Sequence, residues 1–179
     1  MQALLISWLA LWLPLQESST VRFHGPGIEF EVGRPEGWRV DGRAAPQLAH
    51  FLILPEGENW RRSDRVIYAR FVPIEAGKGV NTFLTEDREK FEAECPFADE
   101  PLQEAGFDNL KDFTFQSYHC PGVRHELMAV QEIPRYFIVF LLTSPNRSAF
   151  DESLPSYRKV LEDFRWWPSS GYRSRSQPE

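Results

Sequence analysis

Two cysteines and four histidines are a small stock for a chain of 179 residues, and that scarcity excludes most of the chemistry those groups support. A zinc site needs three or four ligands converging about 2 Å from one point. The only cluster of soft ligands is His119, Cys120 and His125, with Cys95 further back. If Pro121-Gly122 is a two-residue hairpin turn, strand alternation sends His119 to the face opposite Cys120, so at most Cys120 and His125 share a side. A nucleophilic cysteine fares no better, because adjacent strand residues such as His119 and Cys120 aim their side chains apart. No metal and no cofactor is expected. The sequence also lacks a Gly-x-Ser-x-Gly elbow, a phosphate-cradling glycine loop and a His-Glu-x-x-His pair. Basic runs are short as well: none exceeds Arg61-Arg62, and the formal net charge is -6, which excludes a nonspecific nucleic-acid binder. Acidic pairs such as Glu86-Asp87 and Asp99-Glu100 read as solvated surface.

No apolar run is long enough to cross a bilayer as a helix. The run from Ala3 to Leu13, broken at Pro14 and followed by Gln16-Glu17-Ser18-Ser19-Thr20, has the size and order of a secretory leader. No Lys or Arg precedes it, and Ser18 and Thr20 flanking Ser19 make a poor cleavage site. A mis-chosen start codon, or an N-terminal strand or helix of the domain, is the competing reading. Export implies a periplasmic or secreted protein with no stable membrane insertion once the leader is gone. The expected organisation is a leader over residues 1–20, one domain over 21–167 and a polar disordered tail over 168–179.

What the chain does have is apolar material: 42% hydrophobic and 14% aromatic residues are ample for one core. Tyr136 to Leu142 is apolar throughout, so Tyr136, Ile138, Phe140 and Leu142 line one face of a central strand and Phe137, Val139 and Leu141 the other. Phe150, Leu154, Tyr157, Leu161 and Phe164 then recur at helical spacing, with Val160 widening the stripe. Pro155 breaks an interior helical hydrogen bond, which predicts that the regular helix starts near Ser153 and ends at Trp166-Trp167-Pro168.

Upstream, Ile28, Phe30 and Val32 alternate with Glu29 and Glu31 as in a half-buried strand. Pro35-Glu36-Gly37-Trp38 is a turn that delivers Trp38 onto the core. Strands over His50 to Leu54 and Val66 to Ile74 precede any helix, so early pairing is antiparallel. Asn81 or Thr82 caps a helix running to about Glu94, held at the sheet edge by Phe83, Leu84 and Phe91. A long loop covers Pro96 to Asn109, and a hairpin covers Phe113 to Ala129.

Cys95 ends that helix and Cys120 ends a strand. In an exported chain an even count of two fits a disulfide better than free thiols, which remain the alternative. Trp60-Arg61-Arg62, in a loop between strands, has the composition of a binding hot spot. A loop tryptophan folded back onto the sheet rim explains the same letters.

The order of these features, from Pro35-Glu36-Gly37-Trp38 through Ile67 to Pro73, the helix after Asn81-Thr82, and Tyr136 to Thr143 followed by Tyr157 to Phe164, resembles the PsbP-like superfamily over about Ile28 to Trp166. That superfamily includes the PsbP extrinsic proteins of photosystem II and bacterial exported proteins related to DcrB. The resemblance implies an α+β fold in which an antiparallel β-sheet is sandwiched between helices. It carries packing motifs and no catalytic residues. The leader lacks a lipobox cysteine, so a lipoprotein is not implied, and nothing resembles a thylakoid transit peptide.

Two functions follow. One is an exported, non-enzymatic accessory protein that binds another protein or an envelope component. The other is a small-ligand-binding protein or hydrolase whose site assembles from dispersed residues. A deep cleft lined by convergent polar groups favours the second, and a flat or grooved apolar surface favours the first.

Overall fold

In the computed structural model, residues 20–25, 27–42, 51–95 and 107–169 are described. The expected leader, apart from Thr20, lies outside them, as do residues 96–106 of the long loop, with Asp99-Glu100, and residues 170–179. The described chain runs β1 (Thr20–Gly25), β2 (Ile28–Gly33), β3 (Trp38–Asp41), β4 (Phe51–Pro55), β5 (Val66–Pro73), α1 (Val80–Glu94), β6 (Thr114–Cys120), β7 (Arg124–Ile133), β8 (Tyr136–Ser144), α2 (Arg147–Glu162) and β9 (Arg165–Pro168). It is an α+β protein with two antiparallel sheets, one of three strands in the order β1-β2-β9 and one of six in the order β3-β4-β5-β8-β7-β6.

The apolar strand β8 lies between β5 and β7, and Phe137 to Leu142 are buried at every position. Its alternation divides the interior. Ile138, Phe140 and Leu142 join a cluster with Phe150, Tyr157, Val160 and Leu161 of α2. Phe137, Val139 and Leu141 join a second with Leu84 and Phe91 of α1. The Tyr157 hydroxyl donates to the Phe140 carbonyl at 3.0 Å, which satisfies a polar atom that burial would otherwise leave costly.

α2 starts at Arg147, earlier than Pro155 predicts. The Asn146 side chain accepts from the amides of Ser148 at 2.9 Å and Ala149 at 3.4 Å, a favourable cap. Ala149, Phe150 and Ser153 are buried in the turns before the proline. Pro155 itself is exposed, so the carbonyl it strands, that of Asp151, is on the side that water reaches. α1 also departs from expectation: its cap is Gly79, with no side-chain bond, and Asn81 and Thr82 lie within the helix.

The largest departure is β9. Trp166-Trp167-Pro168 does not simply end the helix; it is a strand that pairs with β2, Phe30 opposite Trp166, while β1 pairs with the other edge of β2. Phe30 of this small sheet packs against Phe71 of the large one at 5.0 Å between ring centres and against Phe164 at 6.4 Å. Space there is tight: a Cβ on Gly33 would lie 2.7 Å from the Cβ of Asp163, so only glycine lets β2 end against the close of α2. At the other turn, Gly37 takes φ 74° and Trp38, bonded from its amide to the Pro35 carbonyl, is buried as expected.

Candidate functional site

On the α1 side of the large sheet, strand alternation brings Tyr68 and Arg70 of β5, Leu141 of β8, and Arg124, Glu126 and Met128 of β7 to one surface. The facing side of α1 contributes Asp87, Lys90, Phe91 and Glu94, spaced so that a helix keeps them together. Between them is a cleft of about 320 Å³. Its charges are balanced, three cationic against three anionic side chains.

Glu126 is the least exposed of the three carboxylates, its side chain 13% exposed against 21% for Asp87 and 69% for Glu94. Its carboxylate lies 3.4 Å from Arg124 Nε and accepts from the Thr143 hydroxyl at 3.4 Å. Burial nonetheless holds its carboxyl above the usual range, with Arg124 opposing. Burial and then the Glu126 charge push the Tyr68 phenol up to about 12, so it keeps its proton. Asp87 accepts from the Tyr118 hydroxyl at 2.9 Å and lies 3.6 Å from Arg70. Tyr118 in turn accepts from the Gln116 amide at 2.8 Å; burial first, then Asp87, raise its phenol far above the ordinary value. Arg124 donates to Glu94 at 2.9 Å, and its guanidinium lies 4.9 Å from the centre of the Phe91 ring, a cation–π contact. Phe91 stacks on Tyr118 at 4.6 Å.

The α1 wall is also tied covalently. Cys95 at its C-cap is joined to Cys120 at the end of β6, with 5.8 Å between their Cα atoms. Closing this loop contributes on the order of 3 kcal/mol.

The other soft ligands are arranged differently from expectation. Cys120 pairs with Arg124 and His119 with His125, so the hairpin loop is three residues, Pro121-Gly122-Val123. One added residue flips every later side chain to the other face. His125 therefore faces His119, not Cys120, and the two rings stack at 4.3 Å. Among the described residues no group of three or more His, Cys, Asp or Glu side chains is arranged to hold a metal.

Trp60, Arg61 and Arg62 lie outside the cleft, in the loop from β4 to β5. Trp60 is 40% exposed. Of the cleft residues, the sequence places Phe91 on the sheet, and Asp87 reads as solvated surface but is held by Tyr118 and Arg70. The others were missed, although a signal exists: Arg70, Arg124 and Glu126 place charges at alternate positions in strands whose intervening residues are apolar or buried, which a wholly solvated face does not require.

No helix among the described residues is long and apolar enough to cross a membrane. No family model matches the chain, and no curated protein does. The chain is similar to cyanobacterial PsbP (CyanoP) from Synechocystis sp. PCC 6803, known from a solution structure, at a TM-score of 0.49 and 17% identity over 89% of this chain and 99% of that one.

Proposed function

We propose that this is an exported accessory protein that works by binding another protein or an envelope component and catalyses no reaction. The observation that carries this is the pairing inside the cleft: Tyr118 and Arg70 hold Asp87, and Arg124 holds both Glu94 and Glu126. General acid–base chemistry needs a group free to exchange a proton with its substrate, whereas these carboxylates already serve the wall and floor. Export is supported by the apolar leader and by a disulfide, which persists in oxidising compartments. In this reading the leader is removed ahead of β1, the chain from Thr20 through β9 is a PsbP-like α/β/α sandwich, and residues 170–179 are a tail.

A second reading, a small-ligand-binding protein, is favoured by the cleft itself, where Glu126 and the protonated Tyr68 converge on a volume suited to a compact polar ligand. Affinity capture with the mature chain from its native envelope separates the two. The first reading expects a stoichiometric protein partner that re-forms the complex from purified components. The second expects a small molecule in native mass spectra that is lost in Glu126→Gln. If neither is recovered, both readings fail.

A further inference from the structure

Both exposed large hydrophobics among the described residues, Trp60 and Val123, lie at the same end of the large sheet. The pairing of Val66 with Thr143 and of His125 with Ser144 brings the β4–β5 loop to the end occupied by the β6–β7 tip. The two loops lie three strand spacings apart, roughly 14 Å, within the footprint of one partner.

The β4–β5 loop is held in shape. The Asn59 side chain accepts from the Arg61 amide at 3.2 Å, and the Asn59 backbone carbonyl accepts from the amides of Arg62 and Ser63, each at 2.9 Å. The Arg39 guanidinium donates twice to the Glu58 carbonyl, at 3.2 and 2.9 Å. Ser63 accepts from the Arg65 amide at 3.3 Å. Trp60 thus projects from a fixed turn, with the Arg61 guanidinium 5.7 Å from its ring centre, and less conformational freedom is lost when it docks. Neighbouring Arg65 is engaged by Glu152 at 3.1 Å. Arg61 and Arg62 are exposed and form no ion pair with a described carboxylate.

We infer that this end of the sheet, centred on Trp60, Arg61 and Arg62 and extending to Val123, is the docking surface for an acidic protein partner. The inference rests on the accessory reading above and specifies the partner's chemistry: an apolar pocket for the indole, rimmed by carboxylates that receive the two guanidinium groups. Planar guanidinium groups match carboxylates in pairs, and Trp with Arg is the composition of interface hot spots. Charge selects a protein over a lipid surface. Anionic membranes hold proteins through clusters of about four to eight basic residues, and here two stand on a chain of net charge -6.

The test uses the full mature chain against synthetic peptides carrying none, two or four glutamates around a leucine, and against phosphatidylglycerol vesicles. Affinity is expected to rise with glutamate number and fall with salt. It should drop about tenfold or more in Trp60→Ser and in Arg61→Glu/Arg62→Glu, while Lys111→Glu, a charge change near the opposite end, leaves it unchanged. Unaltered thermal unfolding of the variants excludes misfolding. Peptide binding that ignores the charge reversal, binding to vesicles alone, or no binding overturns the inference. If the native envelope yields a partner that the Arg61→Glu/Arg62→Glu chain also captures, the accessory reading stands and this surface is the wrong one.

Discussion

His125 is an imidazole with little reason to carry charge. It is buried, its ring stacks on His119 of β6, and it lies against Phe150 of α2 at 5.8 Å. Its Nδ1 has no hydrogen-bond partner. Burial first, then His119 and Arg147, hold its pKa below the ordinary value, with Asp151 opposing; Ser144 faces it from β8. As pH falls through about 6.5 the unfolded chain takes up a proton that the folded one refuses, so stability present above that pH is lost below it, down to the folded pKa. Urea midpoints are expected to fall between about pH 7.5 and pH 5.5, and His125→Phe should flatten that dependence. Tyr118 is a second residue whose polar atom matters. Tyr118→Phe removes the donor to Asp87 and the acceptor for the buried Gln116 amide, and is expected to cost about 1–3 kcal/mol in chemical denaturation with an unchanged far-ultraviolet spectrum.

Among the elements, β8 has the most to lose. Phe140 is wholly buried and meets Phe51, Phe113 and Phe164 at ring distances of 6.3, 6.1 and 4.9 Å. Phe140→Ala should destabilise the fold by about 3–5 kcal/mol, the cost of emptying an aromatic site in a close-packed core. A change under about 1 kcal/mol on urea unfolding would show that the core collapses around the gap. α1 depends on a different device. Few of its residues are buried, Leu84 and Phe91, so the bond between Cys95 and Cys120 does much of the fastening. Thiol titration of unreduced protein should find no free cysteine until the chain is both unfolded and reduced. Cys95→Ala/Cys120→Ala is expected to lower stability by about 3 kcal/mol and to speed hydrogen exchange along α1 more than along α2.

For the whole molecule, compartment and organisation meet at β1. That strand begins at Thr20 and pairs with β2 along its length, Thr20 opposite Gly33, so a leader removed beyond Thr20 would shorten the small sheet. N-terminal sequencing of exported protein is therefore expected to begin between Gln16 and Thr20. An intact Met1 on a cytosolic protein would remove the basis for both export and the oxidised cysteine pair.

The sequence by itself determined the elements whose signal is local. Seven successive apolar residues defined β8 on both faces, the spacing from Phe150 to Leu161 defined the stripe of α2, and Pro35-Glu36-Gly37-Trp38 defined the turn that buries Trp38. Each depends on periodicity or on the backbone preferences of neighbouring residues, which the chain carries wherever it is placed. Tertiary structure alone decided the rest. β9 is four residues long and is a strand because β2 offers it an edge. α2 begins before Pro155 because the exposed side of the helix tolerates the lost bond. A third loop residue, Val123, moved His125 across the sheet, and only the β6–β7 register makes that shift visible. The cleft joins Tyr68, Asp87 and Glu126, far apart in the chain, and their proximity is a property of strand order β5-β8-β7 and of α1 lying over it. Local patterns fix which side chains face inward, whereas pairing across the sheets fixes which of them meet.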